Sequence, residues 1–407
     1  MKRIGACFIG ALGSISLTAI IGARAIQESL ANTLGMVTES ELFCDLDLAP
    51  LGDIQFCGFD IRQGKLSEIV KELQTNDDIF GPELLRNIQP FLGDVDDFIL
   101  PGISLNCGQA ICKLSSPQHN DPISLRETIE LIKSRLNHFR KSLELDDLVV
   151  VNLASTEPLM ELKECHQNVS LLEQSIDQNL CENFIASSLY AYAAITSHCP
   201  YINFTPSNGA LFPAMIKLAQ KNGIPVMGND GKTGETLVKS VLAPMFKCRN
   251  LEVMSWEGFN ILGNMDGQVL DHAENRKSKI KTKDSILPKI LGYSPHSKVH
   301  INYVPSLGDQ KTAWDFIHFK GFLGARMSLQ FTWQGFDSAL AAPLILDLVR
   351  LAELAHRRGE SGLMIHLASY FKDPLGVPEQ SFAHQFDMLE KYVSNYKIAS
   401  NAERDLN

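Results

Sequence analysis

Apolar blocks separated by polar and glycine-containing segments run along the first half of the chain and predict alternating strands and helices. Residues 4–9 are an apolar run that predicts a first strand. Gly10 and Gly13 predict a tight turn after it, and Ser14 begins a predicted helix that extends to about Leu30. The chain is therefore expected to start with a strand, a glycine turn and a helix.

The same alternation continues to residue 205, apart from residues 35–53, which predict an inserted loop. The predicted elements are helices at 64–91, 122–144 and 171–196 and strands at 148–155 and 201–205. This order predicts an α/β fold with a Rossmann-like, doubly wound parallel sheet that carries helices on both faces. Ligands bind such sheets beyond the carboxyl ends of the strands. The loops at 154–157 and 205–208 are therefore candidate ligand sites.

Residues 237–340 have a different pattern, with aromatic and β-branched strands such as KVHINYV and MSLQFTW. They predict a second α/β unit inserted into the first. The following segment, AAPLILDLVRLAELAHRR, is an amphipathic helix that returns the chain to the first unit. We therefore predict one domain formed by 1–236 together with 341–407, and an inserted domain formed by 237–340.

Composition narrows the class of protein. Apolar residues make up 45% of the chain and charged residues 21%, as in ordinary globular proteins. The net charge of −10 argues against nucleic-acid binding, which requires a broad positive surface. Nine cysteines without a C-x-x-C pair predict reduced thiols and a cytoplasmic location. The start of the chain imitates a secretory signal, but the strand, turn and helix explain it better. No other segment predicts a membrane span.

Two sequence features suggest a dinucleotide site. Gly10 and Gly13 precede a helix whose N-terminal amides could face a pyrophosphate, although a lone G-x-x-G is weak evidence. Asp60, in FCGFDIR, follows a strand-like run and could accept hydrogen bonds from ribose hydroxyls. It could equally be a turn aspartate.

Two further segments suggest a phosphate site. The segment GNDGKTGETLVKSVLAPMF, residues 228–246, places Lys232, Thr233 and Thr236 at the start of a helix. It predicts either a phosphate cradle or an ordinary capped helix start, with equal weight. Residues 276–283 carry five cations in eight positions. In isolation they are better explained as a solvated basic face.

These segments, in this order, resemble the myo-inositol-1-phosphate synthases (inositol-3-phosphate synthases), and their archaeal branch more closely than the eukaryotic one. The resemblance covers nearly the whole chain. It is carried by IGALGSISLTAIIGARAI, FCGFDIR, ISLNCG, VNLASTEP, YAYAAI, NFTPSNGALFPA, the segment from residue 228, FNILGNMDG, SKIKTK, SLGDQKTAWDF, AAPLILDLVRLAEL and FKDPLG.

The resemblance implies an isomerase, an intramolecular lyase that converts D-glucose 6-phosphate to 1L-myo-inositol 1-phosphate (1D-myo-inositol 3-phosphate). NAD would be reduced and reoxidised within one cycle. The first domain would then bind NAD, and the inserted domain would carry catalytic groups and the contacts of a homotetramer. The archaeal branch also implies a divalent cation held by phosphate, cofactor and water, because the chain has no cluster with metal-ligand spacing. His296 and His300 are interpreted as structural.

The resemblance also assigns residues. The catalytic set is Lys279, Lys283, Lys311, Lys372, Asp230, Asp266 and Asn264. The set that binds the substrate phosphate is Thr233, Gly234, Thr236 and Lys283. The cofactor set is Gly10, Ala11, Gly13, Ser14, Ile15, Asp60, Ala154, Ser155, Thr156 and Asp230. Lys277 and Lys281 are interpreted as solvated, without a role in the site.

Met265 is a departure, because it replaces the second asparagine of the family's LGNNDG segment. The exact substrate therefore stays open, and the main alternative is an NAD-dependent cyclase acting on another sugar phosphate. A lysine Schiff-base aldolase and a non-catalytic nucleotide sensor are further alternatives.

Overall fold

The computed structural model describes residues 2–77, 80–115, 123–272, 274–275 and 286–405. Its larger sheet has seven strands, all parallel, in the order β11-β6-β5-β4-β1-β2-β3. The strands of this sheet are β1 (Ile4–Ile9), β2 (Ile54–Asp60), β3 (Ile99–Pro101), β4 (Asp147–Asn152), β5 (Tyr201–Asn203), β6 (Pro225–Gly228) and β11 (Gly362–Leu363). The predicted doubly wound parallel sheet is confirmed.

The helices of the described residues connect and cover the strands. Their bounds are α1 (Ser14–Gln27), α2 (Leu66–Asp77), α3 (Pro82–Asp96), α4 (Gln109–Cys112), α5 (Leu125–Ser142), α6 (Val169–Asp177), α7 (Ala186–Thr196), α8 (Pro213–Lys221), α9 (Gly234–Cys248), α10 (Met265–Leu270), α11 (Ile286–Leu291), α12 (Asp337–Arg357) and α13 (Phe382–Asp405).

Alternate residues of the central strand β1 belong to two different cores. Ala6 and Phe8 pack with apolar residues of α1, α3, α12 and α13. Cys7 and Ile9 pack with residues of α5, α6, α7 and α8 on the opposite face. Because side chains alternate across a strand, this division places helices on both faces of the sheet. The apolar run at residues 4–9 reflects a strand that is buried on both sides.

Two helix predictions were wrong in their extent. The helix expected at 64–91 is two helices, α2 and α3, and α3 starts anew at Pro82, whose fixed backbone angle suits the first turn of a helix. The helix expected at 171–196 is also two, α6 and α7, separated by a 3₁₀ turn at Cys181–Asn183. Continuous apolar periodicity concealed both breaks. The helix expected at 122–144 is α5, which begins after a capping box formed by Ser124 and Glu127.

A second sheet lies between β6 and α12 in the chain. Its strands are β7 (Glu252–Leu262), β8 (His296–Tyr303), β9 (Gln310–Lys320) and β10 (Arg326–Phe336), in the order β10-β9-β7-β8. Strands β7 and β8 are parallel, and the other pairs are antiparallel. Apolar residues of α9 and α11 pack on one face of this sheet.

The second sheet falls inside the inserted segment expected at 237–340. The helices that flank it, α9 and α12, begin at Gly234 and Asp337, a few residues before the boundaries chosen from the sequence. The two-domain division stays a prediction. No helix in the described part of the chain is both long and apolar enough to cross a membrane.

Candidate active site

The first component of the site is the glycine turn between β1 and α1. Gly10 has a φ of +86°, and a Cβ at this position would lie 3.0 Å from both Cα and N of Ala154. The N-cap of α1 is Gly13, so no side chain caps this helix end, and the first turn contains no acidic residue. This helix end therefore carries no negative side chain of its own that would compete with a bound anion.

The carboxylate of Asp60 fixes this turn from the end of β2. Its Oδ2 accepts a hydrogen bond from the Leu12 amide at 2.8 Å. Its Oδ1 accepts from the Arg62 amide at 2.8 Å and from Arg62 Nε at 3.3 Å. The Arg62 guanidinium also donates to the Leu12 carbonyl. Asp60 thus supports the loop in addition to any contact with a ribose.

Two adjoining cavities extend from the glycine turn. The first has a volume of about 770 Å³, counting its opening to solvent, and is lined by Gly10, Asp60, Ala154 and Ser155 among others. The second has a volume of about 1480 Å³, counted in the same way, and reaches toward the second sheet. Both are lined by Gly13, Arg62, Leu153, Ala154, Ser155 and Met265. Together they form one cleft at the carboxyl ends of the parallel strands, where such folds bind their ligands.

Most of the predicted cofactor residues line this cleft. Ser14, Ile15 and Thr156 line the larger cavity. Ala11 lines neither cavity and is buried, with its Cβ facing Gly58 of β2. The hydroxyl of Thr156 donates to Asp266 Oδ1 at 3.3 Å, which links the loop after β4 to α10.

A buried ion pair lines the larger cavity. Lys372 Nζ is 2.8 Å from Asp230 Oδ1, and both residues are nearly inaccessible to solvent. The two chain segments that carry this pair are also joined by backbone hydrogen bonds. The Lys372 amide donates to the Asp230 carbonyl, and the Lys232 amide donates to the Tyr370 carbonyl. The structure therefore brings together two predicted catalytic residues that are far apart in sequence.

A second ionic contact joins β9, α12 and the start of α9. Lys311 Nζ lies 3.3 Å from Asp337 Oδ1. The same carboxylate oxygen accepts a hydrogen bond from the Thr233 hydroxyl at 3.0 Å. Thr233 and Asp337 line the larger cavity, whereas Lys311 reaches it through Asp337. A catalytic lysine and a phosphate ligand of the predicted set are thus held by one carboxylate.

The remaining predicted residues lie at the starts of two helices. Asn264 is the N-cap of α10, and its Oδ1 accepts from the Gly267 amide at 3.0 Å. Asn264, Met265 and Asp266 all line the larger cavity. Gly234 and Thr236 form the first turn of α9 beside Thr233. The Thr236 hydroxyl is buried and has no hydrogen-bond partner among the residues that the structure describes. Lys279 and Lys283, with Lys277 and Lys281, lie outside the described residues.

Sequence reasoning missed two carboxylates and one cation of the cleft. Asp309 lines the larger cavity, accepts hydrogen bonds from the amide and hydroxyl of Ser338, and has a pKa raised by burial. Asp337 contacts both Lys311 and Thr233, and Arg62 lines both cavities. The sequence contained a signal for each of these three residues. Asp309 belongs to the segment that identified Lys311, Asp337 stands where a strand gives way to a helix, and Arg62 follows Asp60 by two positions.

His296 and His300 do not belong to the cleft. Each places Nε2 within 3.1 Å of a carboxylate oxygen of Glu257 in the second sheet. Among the residues that the structure describes, no group of three or more histidine, cysteine, aspartate or glutamate side chains is arranged to hold a metal ion.

The chemistry of the cleft fits a dinucleotide and an anionic substrate. Close backbone approach at Gly10 and the open N-terminus of α1 suit a pyrophosphate, and a carboxylate ends β2. Lys372 and Thr233, the N-cap of α9, line the larger cavity, and Asp337 of its lining holds Lys311. The fold and cleft define a nucleotide-binding α/β protein of the doubly wound class.

Comparison with known proteins identifies the family. An NAD-binding family model described as myo-inositol-1-phosphate synthase matches residues 4–395, and the chain belongs to this family. A relative from Bacteroides thetaiotaomicron, named inositol-3-phosphate synthase 1, is 32% identical over 97% of this chain and 95% of its own.

Two solved structures agree with this assignment. The inositol-3-phosphate synthase of Caenorhabditis elegans superposes with a TM-score of 0.86 at 27% identity, covering 96% of this chain and 85% of that one. A myo-inositol-1-phosphate synthase-related protein of Thermotoga maritima superposes with a TM-score of 0.80 at 27% identity, covering 97% and 99% of the two chains. The predicted family is confirmed.

Proposed function

We propose that this protein converts D-glucose 6-phosphate to 1L-myo-inositol 1-phosphate (1D-myo-inositol 3-phosphate). Family membership along nearly the whole chain is one support. The observation that carries the proposal is a single cleft that is lined by a dinucleotide-type glycine turn, by the buried pair Lys372–Asp230, and by Asp337, which holds the buried Lys311.

NAD, when bound, supplies a hydride acceptor for carbon 5 of the substrate and returns the hydride at the end of the cycle. The ketone at carbon 5 makes the proton on carbon 6 acidic. Loss of this proton gives an enolate that attacks the aldehyde at carbon 1 and closes the ring. Each step develops negative charge on an oxygen near an anionic phosphate, so fixed cations stabilise the transition states.

The described residues are suited to these tasks. We assign Lys372, held by Asp230 at 2.8 Å, to the oxygen of carbon 5, where it can donate a proton or a hydrogen bond. We assign Lys311, held by Asp337, to the developing oxyanions. Asp266 and Asn264 line the larger cavity, and we assign them to the substrate hydroxyls.

The phosphate of the substrate is assigned to the start of α9. Thr233, Gly234 and Thr236 supply hydroxyls and helix N-terminal amides, and the dipole of a fifteen-residue helix favours an anion there. The family resemblance adds Lys283 as a phosphate and enolate ligand and Lys279 as a proton carrier at carbon 5. These two lysine roles are proposals. The cofactor contacts of Gly10, Asp60 and the loop after β4 are proposals as well.

Three further properties belong to the proposal. A divalent cation would be held by phosphate, cofactor and water, which suits a hard cation that keeps much of its hydration. We propose a homotetramer formed through the second sheet, where Trp314 of β9 is an exposed apolar side chain and Phe322 and Leu323 are exposed in the turn between β9 and β10. A cytoplasmic location and the archaeal branch stay predictions from the sequence.

The test is to incubate the purified protein with glucose 6-phosphate, NAD and Mg²⁺, and to follow phosphorus and proton NMR spectra with NADH absorbance. We expect inositol monophosphate without lasting NADH, and a loss of about a hundred- to a thousandfold in kcat for Lys311→Met. Persistent NADH would contradict an internal redox cycle. No turnover with any added metal, despite NAD binding, would point to another sugar phosphate, with Met265 as the first residue to exchange.

A further inference from the structure

A charged network lies beneath the proposed phosphate site, inside the unit formed by α9 and the second sheet. Lys239 of α9 places Nζ 2.6 Å from Glu235 Oε1 and 3.9 Å from Asp315 Oδ1. The indole nitrogen of Trp256 donates to Asp315 Oδ1 at 2.6 Å. All four side chains are essentially inaccessible to solvent.

The surrounding structure is shaped around this network. A Cβ on Gly258 of β7 would lie 2.7 Å from Glu235 Oε1, 3.2 Å from Asp315 Oδ1 and 3.4 Å from Lys239 Nζ. Glycine at this position therefore leaves the space that the ionic groups occupy. Charged groups are costly to bury even when paired, and apolar residues of similar volume often stabilise a core as well or better. Stability alone is thus a weak reason for such an arrangement.

The position of Glu235 suggests a functional reason. Glu235 is the second residue of α9, between Gly234 and Thr236, which we assign to the substrate phosphate. A carboxylate in the first turn of a helix interacts favourably with the same N-terminal amides and dipole that would attract a phosphate. Without compensation, its negative charge would oppose the binding of a phosphate dianion.

Lys239 lies one helical turn further along and supplies that compensation. Its ammonium contacts the Glu235 carboxylate directly and, through Asp315, connects α9 to β9. Lys311, Ala313 and Asp315 are alternate, buried residues of β9, so they share one face of the strand. The network thereby ties the start of α9 to the strand that carries Lys311.

We propose that Lys239 is a positioning residue for substrate phosphate, which acts by neutralising the Glu235 carboxylate at the start of α9. The inference rests on the proposed function. We expect Lys239 to affect substrate binding rather than kcat, because Lys239 does not line the cleft in which we place the reacting carbons.

The experiment compares Lys239→Met, Glu235→Gln and the double variant Glu235→Gln/Lys239→Met with the wild-type protein. We measure KM for glucose 6-phosphate, the inhibition constant of inorganic phosphate, kcat and NAD affinity. Lys239→Met should raise both KM and the phosphate inhibition constant about tenfold or more, with kcat and NAD affinity within about threefold. Glu235→Gln alone should leave all four quantities within about threefold of wild type.

The double variant is decisive, because it removes both charges and keeps nearly the same side-chain volumes. It should restore KM and the phosphate inhibition constant to within about threefold of wild type. Equal KM values in Lys239→Met and wild type, or no restoration in the double variant, would overturn the proposal. Failure of the double variant to fold would also overturn it, because the pair would then be a requirement of the fold. Absence of turnover in the wild type would instead count against the proposed function.

Discussion

Gly10→Ala should damage the cofactor site and the fold together. Gly10 has a φ of +86°, in the left-handed region, where an L residue costs roughly 1–2 kcal/mol. The new methyl would lie 3.0 Å from Cα and N of Ala154, and backbone atoms cannot rotate away from it. Overpacking of this kind typically costs about 1–3 kcal/mol more. The sum is about 2–5 kcal/mol, shared between unfolding free energy and displacement of the turn.

The assay combines urea unfolding with calorimetric titration of NAD. If displacement of the turn takes about 1.4 kcal/mol of the strain, NAD binding weakens about tenfold. Gly22→Ala is the matched control, because Gly22 lies within α1 and a Cβ there would meet no atom within 4 Å beyond the backbone of its own helix and its chain neighbours. That substitution should stabilise the protein by about 0.5–1 kcal/mol. An unchanged unfolding midpoint and NAD affinity in Gly10→Ala, or an equal loss in the control, would refute the reasoning.

Three further results are expected. Lys372→Met should lower kcat about a hundred- to a thousandfold, measured by product NMR, because the cation held by Asp230 is lost; activity within about tenfold of wild type would contradict a catalytic role for Lys372. Burial and the nearby Lys372 lower the pKa of Lys232 from 10.5 to about 7. Between pH 7 and 10.5 the unfolded chain binds more protons than the folded chain, so the free energy of unfolding rises with pH. In urea unfolding, the rise from pH 7 to 9 should therefore be about 2 kcal/mol smaller in Lys232→Met than in the wild type. An equal rise in the two proteins would contradict this. Ser124→Ala removes the capping box of α5 and should cost about 1 kcal/mol in urea unfolding without changing kcat; an unchanged midpoint would contradict the role of the cap.

Local patterns were sufficient to predict the parallel sheet. A strand buried on both faces is an uninterrupted apolar run, and residues 4–9 and 148–151 have this form. Helix ends were harder to predict, because the breaks between α2 and α3 and between α6 and α7 interrupt an otherwise helical pattern. Pro82 was a visible signal for the first break, since proline favours the first turn of a new helix.

The site, like the fold, could be predicted from the sequence only in part. Lysines and glycine turns could be chosen from local segments and family resemblance, but their partners come from distant parts of the chain. Asp337 holds Lys311 from across 26 positions, and Asp230 holds Lys372 from across 142. The buried pair of Glu235 and Lys239 at i and i+4 resembles an ordinary helix-surface pair in sequence. Only the packing of β7 and β9 against α9 reveals that it is buried.

The most direct test of the internal redox cycle uses glucose 6-phosphate deuterated at carbon 5, with unlabelled NAD and the wild-type protein. The product is analysed by mass spectrometry and proton NMR. Because the hydride taken from carbon 5 is returned to the same carbon, we expect inositol phosphate that retains the deuterium, with no label in recovered NAD. Loss of the deuterium to solvent, or its accumulation in NADH beside a released ketone, would contradict the proposed cyclase.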